Sequence, residues 1–94
     1  MNRPCLLYTP NSGNSYFFRS RIPKDLVDHF GGLREFRISL KCAIKSRSLK
    51  TTKVLNRIVS TIYEEIRQGV KSLEIEDIKE ILRTEIRKQI LHAH

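Results

Sequence analysis

Arg19, Arg21, Arg37 and Lys41 recur at every second position of two β-prone stretches, and Lys45, Arg47, Lys50 and Lys53 follow within one polar run. Rows of cations recognise anions. Arginine forks match phosphate oxygens and the O6 and N7 of guanine, and a serine such as Ser39, between Arg37 and Lys41, serves either base. Other chemistries find no comparable grouping. Cys5 and Cys42 have no CxxC neighbour and His29 stands alone, so no zinc ligand set is expected. His92 and His94 are two apart at the chain end, where a helix would send them to different sides. Glu74, Glu76, Asp77 and Glu80 fit the ordinary preference for acids in a first helical turn better than a magnesium cluster. Gly31-Gly32 lacks the lysine and the spacing of a phosphate loop. The expectation is a binding module with no cofactor and no metal.

The balance of charge supports that emphasis. Of the 94 residues, 18 are Lys or Arg and 10 are Asp or Glu, for a formal charge of +8. Residues 1–53 hold 11 basic side chains against three acidic ones, whereas residues 54–94 hold seven of each. The whole excess therefore sits on the first half, which points to a polyanion partner. A chain this short buries only about 60 to 65% of the surface its unfolded form exposes, leaving little room for a deep catalytic cavity. Its 39% hydrophobic residues exclude a disordered tail, no apolar run is long enough to span a bilayer, and two cysteines do not make a secreted disulfide framework. A cytoplasmic protein with reduced thiols is expected.

The cations must be positioned by the elements around them. Residues 5–9 are short, apolar and β-prone, and residues 10–14 carry turn formers. From residue 16, Tyr16, Phe18, Ser20 and Ile22 fall on one face and Phe17, Arg19 and Arg21 on the other. These two segments read as a hairpin. Pro23 opens a helix of about two turns that clusters Leu26, Val27 and Phe30 and ends at Gly31-Gly32. A third strand sends Phe36, Ile38 and Leu40 one way and Glu35, Arg37, Ser39 and Lys41 the other. A long amphipathic helix then starts near Ser46 or Ser48, aligns Leu55, Ile58, Val59, Ile62 and Ile66, and stops at Gly69. A last helix opens at Ser72 and aligns Ile75, Ile78, Leu82, Ile86 and Ile90. The predicted class is α+β: a three-stranded antiparallel sheet packed on one long helix, in the order β-β-α-β-α, plus a C-terminal amphipathic helix. One sheet face meets the long helix and the other, carrying the arginines, stays in water, narrow enough for a B-DNA major groove.

The run Tyr16-Phe17-Phe18-Arg19-Ser20-Arg21-Ile22-Pro23-Lys24-Asp25-Leu26, then Phe30-Gly31, then Arg37-Ile38-Ser39-Leu40 before a long helix, resembles the N-terminal domain of phage-type integrases, the tyrosine recombinases. The likeness runs from residue 5 to about residue 69. It implies a three-stranded sheet on a helix that binds arm-type sites of attachment DNA in the major groove, with Arg19, Arg21, Arg37 and Ser39 at the matching positions. The sequence departs from the pattern after Leu40, where Lys41, Cys42, Ala43 and Ile44 replace the usual Gly or Lys, Thr and Asp-containing helix start. The resemblance further implies that residues 1–69 form the DNA-binding domain and that residues 70–94 are a linker helix leading to core-binding and catalytic regions of a longer bacterial or phage-encoded enzyme. The nucleophilic tyrosine and the Arg, His, Arg cluster of that enzyme are not matched: no His-x-x-Arg occurs, and the tyrosines are Tyr8, Tyr16 and Tyr63.

The expected function is duplex DNA binding in site-specific integration and recombination, with Arg19, Arg21, Arg37, Ser39 and Lys41 on bases and backbone and Lys45, Arg47, Lys50 and Lys53 on flanking phosphates. Double-stranded DNA and the remainder of the recombinase are the expected partners, and no membrane. Two rivals stand beside this: an RNA-binding sheet that stacks bases on Phe17, and an interaction domain that works through its last helix. The stripe Ile75, Ile78, Leu82, Ile86 and Ile90 either packs on the domain's own edge or joins two copies as a homodimer.

Overall fold

Alternation of apolar and charged side chains specifies the sheet, and its burial follows the sequence closely. A computed structural model describes residues 6–9 and 15–91, with side chains for residues 15–90. Strand β1 (Leu6–Thr9) pairs antiparallel with β2 (Ser15–Arg21), which pairs antiparallel with β3 (Glu35–Ser39). Phe18, Ser20, Ile22, Phe36, Ile38 and Leu40 are buried on the inner face. Phe18 is wholly buried and meets Phe36 edge to face, ring centroids 6.4 Å apart.

Helix α1 (Lys45–Arg67) covers that inner face with Leu55, Val59, Ile62 and Ile66, each worth about 1.5–3 kcal/mol on burial. Tyr63 extends the stripe, and its hydroxyl shares a 2.9 Å hydrogen bond with Ser20 Oγ, so the polar residue on the sheet's inner face is satisfied from the helix. The α1 C-terminus closes in a Schellman motif. Gly69, at φ +74°, donates to the Ile66 carbonyl and Val70 donates to the Glu65 carbonyl. Helix α2 (Ile75–Leu91) then returns along α1 and adds Ile78, Leu82 and Ile86 to the same hydrophobic cluster as Phe18 and Leu55.

The expected β-β-α-β-α order on a single supporting helix is corrected on three points, although the α+β class stands. The side chains that the structure describes in the sheet belong to the two-stranded β2–β3 ladder, with the β1 backbone alongside β2. The two-turn helix after Pro23 is one 3-10 turn, Lys24–Leu26, followed by further turns. Its bonds are mostly three residues apart, Leu26 to Pro23 and Val27 to Lys24, because so short a segment ending in Gly31 and Gly32 at positive φ cannot repay helix nucleation. Two helices, not one, complete the core.

Helix α1 starts at Lys45, ahead of the serines expected to open it, and Ser48 is buried one turn in. Of the apolar stripe on α2, Ile78, Leu82 and Ile86 are buried in the chain's own core, Ile75 is partly buried and Ile90 is exposed. The expected turn at residues 10–14, Cys5, His92 and His94 lie outside the described residues. No helix of the described residues is long and apolar enough to cross a membrane.

Candidate nucleic-acid interface

A strand face becomes a recognition surface only if its charges point away from the helix that buries the other face. Phe17, Arg19 and Arg21 on β2 and Glu35, Arg37 and Ser39 on β3 occupy the outer face, as the alternation requires. In the antiparallel register Phe17 faces Ser39, Arg19 faces Arg37 and Arg21 faces Glu35. Directly opposed side chains in such a ladder sit about 4.5–5.5 Å apart at Cβ, so the Arg19 and Arg37 stems are neighbours.

Their environments differ. Arg19 lies on the central strand with a side chain only 12% exposed, and its Nη1 is 4.0 Å from Glu35 Oε2. Arg37, on the outer strand, is exposed and has no ion pair among the described residues, as is true of Arg21. Like charges placed opposite each other disfavour the sheet, and Glu35 at the diagonal offsets part of that repulsion. Glu35 thus holds Arg19 while Arg37 stays open to an incoming anion. Ser39 Oγ accepts a hydrogen bond from the Lys41 N–H, 3.2 Å, and keeps its own O–H to donate.

Beyond Ser39 the ladder kinks. Leu40 N–H donates to the Tyr16 carbonyl, whereas Tyr16 N–H donates to the Cys42 carbonyl, leaving Lys41 as an extra residue in the left-handed region at φ +54°. Lys41 is carried off the strand alternation by this bulge. It lines a groove with Arg47 and Lys50. Cys42 Sγ, 3.4 Å from the Ile44 N–H, anchors the turn into α1, whose N-terminus has no side-chain cap and no acid in its first turn.

The two cationic sets do not share one face. Helix α1 presents Ser48, Thr52, Leu55 and Val59 to the core. At 100° per residue, Lys50 points away from that stripe and Arg47 and Lys53 lie on its two flanks, and all are exposed together with Lys45. The structure therefore groups Arg19, Arg21, Arg37 and Ser39 on the outer sheet face and places Arg47, Lys50 and Lys53 behind it.

Sequence reading missed the partners that organise these groups. Arg67, near the α1 C-terminus, donates to both oxygens of Asp25, at 2.6 and 3.1 Å, and to Glu64, so the 3-10 turn is clamped to the helix. Those hydrogen bonds hold the Asp25 carboxyl below its ordinary range. The residues are 42 apart, so no local spacing signals the pair. Glu35 carried a signal in its place in the alternation, two residues before Arg37. Among the described residues no three His, Cys, Asp or Glu side chains group as metal ligands.

Comparison with known proteins adds one match. Residues 8–43, which span β2, the 3-10 turn, β3 and the bulge, match the family model described as Domain of unknown function (DUF6538). No curated protein and no solved structure matches the chain.

Proposed function

We propose that this chain is a double-stranded DNA-binding module of an integrase-like recombinase, acting through the outer face of its sheet. The observation that carries the reading is the Arg19–Arg37 row: two guanidinium groups side by side on a face that neither helix uses for packing, with Arg21 beyond. The β2–β3 ladder with the β1 backbone alongside, at about 4.8 Å spacing, makes a slab near 10 Å wide, within the roughly 12 Å of a major groove. Arg37 is the exposed fork for a guanine edge, Arg19 is set by Glu35, and Ser39 supplies a hydroxyl. Lys45, Arg47, Lys50 and Lys53 act on DNA mainly at a distance, through the positive potential of this half of the chain. The chain itself is a binding module, and catalysis belongs to the remainder of the recombinase.

An RNA platform fits less well, because half-buried Phe17 is the single aromatic among the described side chains of the outer face.

Competition binding with double- and single-stranded oligonucleotides at about 50 and about 200 mM salt tests the reading. Preference for the duplex, lost in the Arg19→Ala/Arg21→Ala/Arg37→Ala variant, is the expected result. Unchanged affinity in that variant, with folding intact by circular dichroism, refutes it.

A further inference from the structure

A second surface lies behind the sheet. Residues 40–44, the first two turns of α1 and the last turns of α2 enclose a groove of about 610 Å³, within the size range of ligand sites. Its apolar lining comes from Leu40, Ile44, Ile86 and Ile90, and Arg47 and Lys50 stand over it with Lys41. Ile44 and Ile90 are 48% and 41% exposed, so two of the large apolar side chains that the fold leaves in water meet at one concave site. Lys41, Arg47 and Lys50 have no ion pair among the described residues, as is true of Lys45, Lys53, Arg57 and Lys88, whereas Arg67, Lys79, Arg83 and Arg87 are paired. Arg47 also sits in the first turn of α1, where the helix dipole repels a cation and no acid compensates.

We infer that this groove docks an acidic amphipathic helix of a partner protein, with apolar residues on Ile44 and Ile90 and carboxylates on Lys41, Arg47 and Lys50. Charge complementarity and exposed aliphatics together select this occupant. A phosphodiester backbone has no apolar stripe to cover Ile44 and Ile90, and a flat lipid surface does not fill a concavity. Helix-in-groove recognition supplies both, through anchors at i, i+4 and i+7 with acids beside them. The inference rests on residues other than the Arg19–Arg37 row that carries the nucleic-acid reading.

The test uses the full chain and a synthetic amphipathic helix of about four turns, leucines at i, i+4 and i+7 and glutamates elsewhere. Methyl resonances of Ile44, Ile86 and Ile90 should shift saturably. Binding should weaken about tenfold or more in Arg47→Glu/Lys50→Glu, whose exposed positions leave the fold intact, and remain unchanged in Arg19→Ala/Arg37→Ala. Three results overturn the proposal: no shift at these methyls, equal binding of the same peptide with lysines for glutamates, or equal binding with the leucines scrambled off one face. Shifts produced instead by phosphatidylglycerol vesicles assign the groove to a membrane surface, and shifts produced as strongly by a duplex assign it to nucleic acid, and either also overturns it. Loss of duplex binding in Arg19→Ala/Arg37→Ala, measured separately, reports on the sheet face alone.

Discussion

Arg19 and Arg37 are direct partners across the β2–β3 ladder, so two guanidinium groups occupy one row of the sheet's outer face, and of the two Arg19 alone pairs with Glu35. Opposed like charges cost a sheet roughly 0.2–1 kcal/mol relative to a neutral pair. A fold selected for stability alone gains nothing from that row. Arg37→Thr is therefore expected to raise the unfolding midpoint slightly while weakening duplex binding by about 1–3 kcal/mol, the worth of a base-reading fork. Thermal denaturation and fluorescence anisotropy on the same variant check both signs.

The separation of the two cationic sets gives a second expectation. Lys50→Ala and Lys53→Ala, on α1 rather than on the sheet face, should lower duplex affinity only modestly and leave the slope of log affinity against log salt nearly unchanged, because they release no counterions at the contact. Arg21→Ala and Arg37→Ala should flatten that slope. A salt titration of the four variants decides it.

Lys41 sits at φ +54°, where a side chain with Cβ is disfavoured and a bulge ordinarily uses glycine. Lys41→Gly should stabilise the domain by about 1 kcal/mol. A urea midpoint that rises without a change in slope would show it.

Ser48 and Thr52 are buried one turn apart on α1, and neither hydroxyl has a hydrogen-bond partner among the described residues. Each unpaired buried hydroxyl costs on the order of 1–3 kcal/mol. Ser48→Ala removes that cost and favours the helix, so the variant should be more stable than the parent, opposite to the usual effect of a core truncation. Chemical denaturation measures the difference.

Arg67 holds the Asp25 carboxyl below its ordinary range by hydrogen bonding, so the clamp contributes stability above the unfolded carboxylate value of about 3.9 and loses it as pH falls through the lower folded value. Asp25→Asn should lower the unfolding temperature at neutral pH and match the parent at the acid end. Tyr63 moves the other way. Burial raises its phenol above the ordinary value, so stability should decline as pH rises past about 10, and Tyr63→Phe should lose that alkaline dependence while leaving Ser20 without its partner.

Period alone determined a great deal of this protein. The alternation at residues 16–22 and 35–40 sent Phe18, Ile22, Phe36 and Ile38 inward and Arg21 and Arg37 outward, because a pleated strand offers no third direction. The 3.6-residue stripes on both long helices were equally legible. Period could not decide which stripe meets which surface. That α2 folds back to bury Ile78, Leu82 and Ile86, that Arg67 reaches Asp25, and that Arg47 and Lys50 face a groove rather than the arginine row are matters of how elements dock. Docking is settled by contacts between residues far apart in the chain, whose free energy no local spacing records.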